Sequence, residues 1–208
     1  YDEFQRISIM AESGGIPKII IDEAIRYHKK VSEQKTFRGL NRDGIIAASI
    51  YIACRINNNP RTAKEIAQMF NLDATSATKG YKNATQIINE LECNFENGEK
   101  TELCKTKPES FINRYCSKLN INQDLTKLCL FISIKIYKQN LIPENTPHAI
   151  AAGIIYFVSN LCRLNISKGD INHISNISEV TINKCFKKLQ TMKTELVPSV
   201  ILQKYNHK

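Results

Sequence analysis

The chain has 208 residues, 42% of them apolar, and a formal net charge of +9. That is enough apolar sequence for one large or two small buried cores. The longest near-continuous apolar run, Ile45 to Cys54, falls well short of the roughly 18 residues of a membrane-spanning helix.

The charge is one-sided. Residues 1–104 hold 14 basic and 14 acidic side chains, and residues 105–208 hold 15 and 6, so the whole excess lies in the second half. Such a placement suits a polyanion such as nucleic acid, or equally a solvated surface that promotes solubility. Lys outnumbers Arg and Asn is abundant, which reads as base bias in the coding sequence. The seven cysteines (54, 93, 104, 116, 129, 162, 185) are scattered, with no CxxC pair. A zinc site needs close-spaced ligands, so no metal is expected within this stretch. The cysteines instead read as small buried hydrophobes in a reducing, intracellular compartment. No basic-then-apolar leader opens the chain, and a start at Tyr1 leads us to expect a piece of a longer protein.

In chain order, residues 1–15 are polar, end in Ser13-Gly14-Gly15, and are expected to be a flexible entry. Pro17 suits the first turn of a helix carrying Ile20, Ala24, Tyr27, His28 and Val31. Asp43 is expected to N-cap a central helix over 44–55, whose small residues allow neighbouring helices to approach closely. Asn57-Asn58-Asn59-Pro60 ends it. Thr62-Ala-Lys-Glu65 reads as a capping box opening a short helix. Asn71-Leu72-Asp73 then turns the chain into a last helix through Tyr81 and Ile88 to Leu91. The polar stretch 92–108 reads as a linker, and a helix over 109–119 follows it.

From there the first half returns, shifted by 105 residues without a gap. Ile45, Ile50, Tyr51, Thr62, Ile66, Lys79, Tyr81 and Lys82 fall on Ile150, Ile155, Tyr156, Ser167, Ile171, Lys184, Phe186 and Lys187. Even the capping box recurs, as Ser167-Lys-Gly-Asp170. A chance register would not reproduce the cap, the turn and both lysines together, so the chain reads as all-α, a tandem duplication of about five helices per repeat. The expected boundaries are 1–15 entry, 16–91 first repeat, 92–108 linker, 109–196 second repeat and 197–208 tail.

Catalytic signatures are missing: there is no P-loop, HExxH or GxSxG, and no carboxylate pair within an apolar stretch. His28, His148, His173 and His207 are isolated; His28 reads as structural or exposed, and His148 takes the helix-start position of Asp43. The stronger signal is the helix-turn-helix in each repeat. Its second helix would present its first residues to the bases of a major groove. In the second repeat Val180 and Thr181 could contact thymine methyl groups or bases, and Asn183 could pair with adenine. Lys184, Lys187 and Lys188 would neutralise phosphates. A packed helix with a solvated basic face would show the same residues. In the first repeat, Lys79 and Lys82 could meet an acidic protein as well as a phosphate.

Several runs resemble the core of general transcription factor IIB, as found in eukaryotes, archaea and some large DNA viruses. They are Gly15-Ile16-Pro17, Ser32-Glu33-Gln34-Lys35 with Arg38-Gly39, Tyr51-Ile52-Ala53-Cys54-Arg55 and Pro60-Arg61-Thr62-x-Lys64-Glu65-Ile66. In the second repeat they are Phe111 with Arg114-Tyr115-Cys116-Ser117, Ala151-Ala152-x-x-Ile155-Tyr156 and Val180-Thr181-Ile182. The resemblance covers about residues 10–195 and implies two cyclin-like repeats with no catalytic activity and no cofactor of their own. It also implies a monomer working in the nucleus, or in a viral factory or host cytoplasm if viral, away from membranes. The implied partners are the TATA-binding protein, promoter double-stranded DNA and RNA polymerase II or a related viral enzyme. A zinc ribbon is expected N-terminal to this region in the full-length protein. Carried over by residue, Val180 keeps the upstream DNA contact, Asn59 and Arg61 fall in a turn facing downstream DNA, and Lys79 and Lys82 fall on the helix facing the TATA-binding protein. Asn183 stands where the family often has a basic residue, which puts the upstream sequence preference in question. A cyclin-type kinase regulator and a polymerase III-type factor are the alternatives that share this fold.

Overall fold

A computed structural model describes residues 2–93 and 107–206. Every regular element among them is a helix, and the chain divides into two compact units, 1–105 and 106–208. The first holds α1 (Asp2–Ser13), α2 (Lys18–Gln34), α3 (Leu40–Ile56), α4 (Ala63–Met69) and α5 (Ala74–Cys93). The second holds α6 (Glu109–Lys118), α7 (Gln123–Gln139), α8 (Pro147–Leu161), α9 (Lys168–Ser175), α10 (Glu179–Thr191), α11 (Lys193–Leu196) and α12 (Ser199–Asn206). The 105-residue offset carries α2 onto α7 at both ends, and the first residues of α4 and α5 onto those of α9 and α10.

The central helices α3 and α8 are apolar on all sides and are wrapped by the rest of their units. In α3, Ile45, Ile46, Ala47, Ala48, Ile50, Ile52, Ala53 and Cys54 are all buried. Ala149 to Ile155, Phe157 and Val158 are buried likewise in α8. In the first unit the buried residues form two clusters, one joining α1 to α4 around Ile7, Ile20, Ile50 and Phe70. The other joins α2, α3 and α5 around Tyr27, Val31, Ile52 and Ile88.

The expected flexible entry is instead α1. Phe4, Ile7 and Ala11 lie on one face at helical spacing, and Ile7 and Ala11 are completely buried. Burying Ile7 alone contributes about 1.5–3 kcal/mol. Arg6 Nη1 also meets Asp43 Oδ1 at 2.8 Å, and Glu3 pairs with Arg42. The Ser-Gly-Gly signal marks the end of this helix rather than a loose segment. Gly15 has φ 74°, its N–H returns to Glu12 O at 3.0 Å, and the Ile16 N–H returns to Ala11 O at 3.0 Å. This is the double closure of a Schellman end, which needs the left-handed residue a glycine supplies without strain.

The same pair of bonds closes later helices at Asn58, Asn71, Asn120 and Asn140, each with positive φ. Part of the Asn abundance therefore has a structural use, since Asn is the side chain that best tolerates the left-handed region after Gly. The two capping boxes form as expected. Thr62 and Glu65 exchange bonds of 2.7 and 3.2 Å, and Ser167 and Asp170 exchange bonds of 2.8 and 3.1 Å. Asp43 is not a cap: α3 starts earlier, behind Gly39, and Asp43 lies within the first turn, paired to Arg6. The tail expected over 197–208 carries the buried Val197 and α12. Of the expected linker, residues 94–106 lie outside the described residues.

Candidate nucleic-acid interface

In the second unit, α9 and α10 are joined by Asn176, Ile177 and Ser178. Asn176 is left-handed (φ 58°), and its N–H returns to Asn172 O at 2.9 Å. The Asn172 side chain donates to Ile177 O at 2.8 Å, and Ser175 Oγ accepts from the Ile177 N–H at 3.2 Å. These bonds are all local to the turn. Ser178 then caps α10, accepting from the Thr181 N–H at 3.3 Å, with the two hydroxyls 2.9 Å apart.

α10 buries Ile182, Cys185 and Leu189 on one face. It crosses α8 where Gly153 faces Cys185: a Cβ on Gly153 would lie 2.4 Å from Cys185 Cβ. Tyr156 and Phe186 meet edge to face at 4.8 Å beside that crossing. The opposite face of α10 is left outward. Val180 is 65% exposed, Asn183 is half-buried, and Lys184 and Lys187 are exposed. These four positions are spaced i, i+3, i+4 and i+7, which makes one continuous stripe beginning in the first turn of the helix.

Two of the expected contact residues also have partners within the unit. The Thr181 hydroxyl lies against that of the capping Ser178. The Lys188 ammonium is bound to the Glu144 carboxylate and lies 3.1 Å from Asn145 Oδ1, which ties α10 to the α7–α8 connection. That bond holds the Glu144 carboxyl below its ordinary range. Glu179, which sequence reasoning passed over, is exposed in the first turn of α10. Its signal was its place directly after the capping Ser178, where carboxylates are favoured by the helix dipole.

The first unit repeats the arrangement. Asn71 is left-handed (φ 53°), and Asp73 caps α5 by accepting from the Ser76 N–H at 2.9 Å and the Ser76 hydroxyl at 2.6 Å. Those bonds keep the Asp73 carboxyl below its ordinary range. Ala77, Ala84 and Ile88 are buried, and Thr75, Thr78, Lys79 and Lys82 form the exposed stripe at the positions of Val180, Asn183, Lys184 and Lys187. Tyr51 and Tyr81 meet at 4.3 Å as Tyr156 and Phe186 do. The matched stripe thus keeps both lysines but replaces the Val and Asn with hydroxyls.

Arg61 is half-buried, and its guanidinium lies 3.4 Å from the carbonyls of both Gly14 and Gly15. It binds the α1–α2 turn to the α3–α4 turn. Asn59, in the same turn, is half-buried and closes α3 through its N–H on Cys54 O at 2.9 Å. His28 is buried, with Nε2 3.7 Å from Glu3 Oε2 and its ring edge-on to Phe4. Burial, with help from Arg42 and against the pull of Glu3, pushes its pKa below the ordinary value. His148 sits in the first turn of α8, edge-on to Phe111 at 5.9 Å. Among the described residues no three of His, Cys, Asp or Glu are grouped as a metal site would require.

The transcription factor TFIIB repeat model matches this chain twice, over residues 1–87 and 101–192. Its relatives include a transcription initiation factor IIB-like protein of Acanthamoeba polyphaga mimivirus, 37% identical over 94% of this chain and 44% of that protein. Transcription initiation factor IIB of Encephalitozoon cuniculi is 33% identical over 95% of this chain and 60% of its own length. That of Dictyostelium discoideum is 30% identical over 94% and 58%. The chain therefore spans about half of the curated relatives it matches. The family is one of non-enzymatic transcription initiation factors. With both repeats matched and each built on a central apolar helix with a helix-turn-helix behind it, this chain belongs to the TFIIB repeat family.

Proposed function

We propose that this chain is the promoter-binding core of a general transcription initiation factor. In this reading it binds the complex of TATA-binding protein and promoter DNA and bridges it to RNA polymerase II or a related viral polymerase. It works in the nucleus or, for a viral protein, in the viral factory. In this reading the repeats need no metal of their own, and zinc is expected in a ribbon N-terminal to them. The observation that carries the proposal is the stripe Val180, Asn183, Lys184 and Lys187 on the second helix of a helix-turn-helix, inside a TFIIB repeat.

On this reading the start of α10 enters the major groove upstream of the TATA element. Val180 offers an apolar contact to a thymine methyl, Asn183 offers the donor and acceptor pair that matches adenine, and Glu179 is an acceptor suited to cytosine. Lys184 and Lys187 lie on flanking phosphates and supply affinity without sequence information. Thr181 and Lys188 also hold the helix itself: the Thr181 hydroxyl lies against the capping Ser178, and Lys188 braces α10 to Glu144. Lys79 and Lys82 of the first unit face the TATA-binding protein. Asn59 and the Arg61-braced turn lie by downstream DNA, with Arg61 shaping the turn more than reaching out of it.

The test is the salt dependence of binding to TATA-containing duplex DNA in the presence of TATA-binding protein. Each phosphate contact contributes about 0.9 to the slope of log affinity against log salt, so Lys184→Gln with Lys187→Gln should flatten it by about 1.8. Lys188→Gln should change the slope little. An unchanged slope in the double variant would place α10 away from DNA.

A further inference from the structure

The outward face of α7 differs from its counterpart in a way the promoter-binding reading does not use. Along α7, Lys127, Phe131, Ile134 and Lys138 are all exposed, Phe131 by 50% and Ile134 by 38%. Their spacing places them in one line on the helix. Shifted back by 105, these positions are Asp22, Arg26, Lys29 and Glu33 of α2, also exposed. The α2 face is an ordinary solvated one, with acidic and basic side chains one turn apart, Asp22 before Arg26 and Lys29 before Glu33. Arg26 is further held by Glu23 at 2.6 Å. The α7 face has neither internal pair, carries two large apolar groups at its centre, and has positive charge at each end.

Among the described residues the patch stays open, and a single carboxylate, Asp124 one turn before Lys127, offsets part of its charge on α7. The Lys135 ammonium is turned aside onto the Glu195 carbonyl, and Tyr137 is covered by the Lys107 ammonium at 5.3 Å. Asp124, at the start of α7, is the acidic side chain this helix carries, against Lys127, Lys135 and Lys138. Lys127 and Lys138 are eleven residues apart, or about 16 Å along the axis at 1.5 Å per residue.

We propose that this face of α7 docks a short acidic amphipathic helix of a partner protein: apolar side chains one turn apart seat on Phe131 and Ile134, and carboxylates at either end meet Lys127 and Lys138. Helix-on-helix recognition of this kind is read through anchors at i, i+3, i+4 and i+7. The apolar pair carries the affinity, because exposed ion pairs contribute little, and the lysines fix orientation and exclude basic or neutral segments. A phosphate backbone is the poorer match, since it would strand two apolar side chains at the centre of the contact.

The test uses the 208-residue chain and a fluorescein-labelled peptide of about three to four helical turns, with Leu and Phe on one face and Asp and Glu elsewhere, followed by anisotropy. Two variants are compared with the parent. One is Phe131→Ser with Ile134→Ser. The other is Lys127→Asp, Phe131→Arg, Ile134→Lys and Lys138→Glu, which installs the α2 face. Both changes are on solvated positions, and circular dichroism checks that each variant remains folded. The expected result is binding by the parent, weakened by about tenfold or more in each variant, as loss of central anchors does. A peptide with its Leu and Phe changed to Ser should bind as weakly as the variants. Binding to TATA-binding protein on TATA DNA should be unaltered in both variants, so failure here and failure of the promoter-binding reading are read separately. No binding by the parent would overturn the proposal, as would equal binding by either variant or by the Ser peptide. Equal competition by a single-stranded oligonucleotide would also overturn it. So would self-association of the parent that the variants abolish, because it would make the occupant a second copy of the chain.

Discussion

Gly80 is the residue on which the first unit's helix-turn-helix is set against its core. A Cβ there would lie 2.1 Å from Gly44 O, 2.3 Å from Gly44 C and 2.7 Å from Gly44 Cα. All three are backbone atoms, so no side chain can swing aside, and α3 and α5 must part by about an ångström to restore van der Waals contact. Gly44 is no easier to change, since a Cβ on it would lie 2.8 Å from Ser76 O. Overpacking costs about 1–3 kcal/mol in side-chain cores, and backbone against backbone belongs at the upper end. Replacing Gly by Ala within a helix returns about 1 kcal/mol of propensity. Gly80→Ala should therefore destabilise the first unit by about 2 kcal/mol, or about 8–16 °C for a unit of this size. Thermal unfolding followed by circular dichroism measures it, and hydrogen exchange in α3 and α5 assigns the loss to the first unit. Asn83→Ala, on the exposed side of α5, is the control for propensity alone. A midpoint for Gly80→Ala equal to or above that of the parent would refute the close-crossing argument.

Two further outcomes follow from single side chains. Burial holds His28 neutral with its pKa lowered, so the unfolded chain takes up a proton first as pH falls. Stability of the first unit should be complete above about pH 6.5 and decline as pH drops below it, until the folded state protonates too. His28→Gln should flatten that decline in melting curves taken between about pH 5.5 and 7.5, and an undiminished slope would remove His28 as its source. On the proposed reading of α10, Asn183→Arg should shift the preferred upstream base from adenine towards guanine by about 1–3 kcal/mol, scored by selection from randomised duplexes. An unaltered preference would count against direct readout at that position.

The repeat was the most legible feature of the sequence, because a 105-residue offset aligns chemistry as well as hydropathy: two capping boxes, two turns and two lysine pairs. What was not read was how far it extends. Applied back to residues 1–15, the same offset puts Ile7 on Ile112 and Ala11 on Cys116, and all four are buried. The polar residues and Gly14-Gly15 masked an amphipathic helix whose apolar face is only a few residues wide. Asp43 misled for a similar reason. Asp is a good cap by type, but α3 starts earlier, where Gly39 leaves the helix without a side-chain cap. On the candidate interface, the sequence named the basic residues without saying where their charge goes. Lys184 and Lys187 point outward, whereas Lys188 is paired with Glu144, 44 residues away, and Arg61 reaches carbonyls 46 and 47 residues away. Such long-range partners are set by packing, and no local pattern announces them.

The central claim is recognition of promoter DNA carrying the TATA-binding protein, and a mobility-shift titration on TATA duplex tests it most directly. The account predicts that this chain converts the TATA-binding protein–DNA band into a slower one, with an affinity that falls steeply as salt is raised. A band that neither moves nor changes its salt dependence as the chain is titrated in would contradict it.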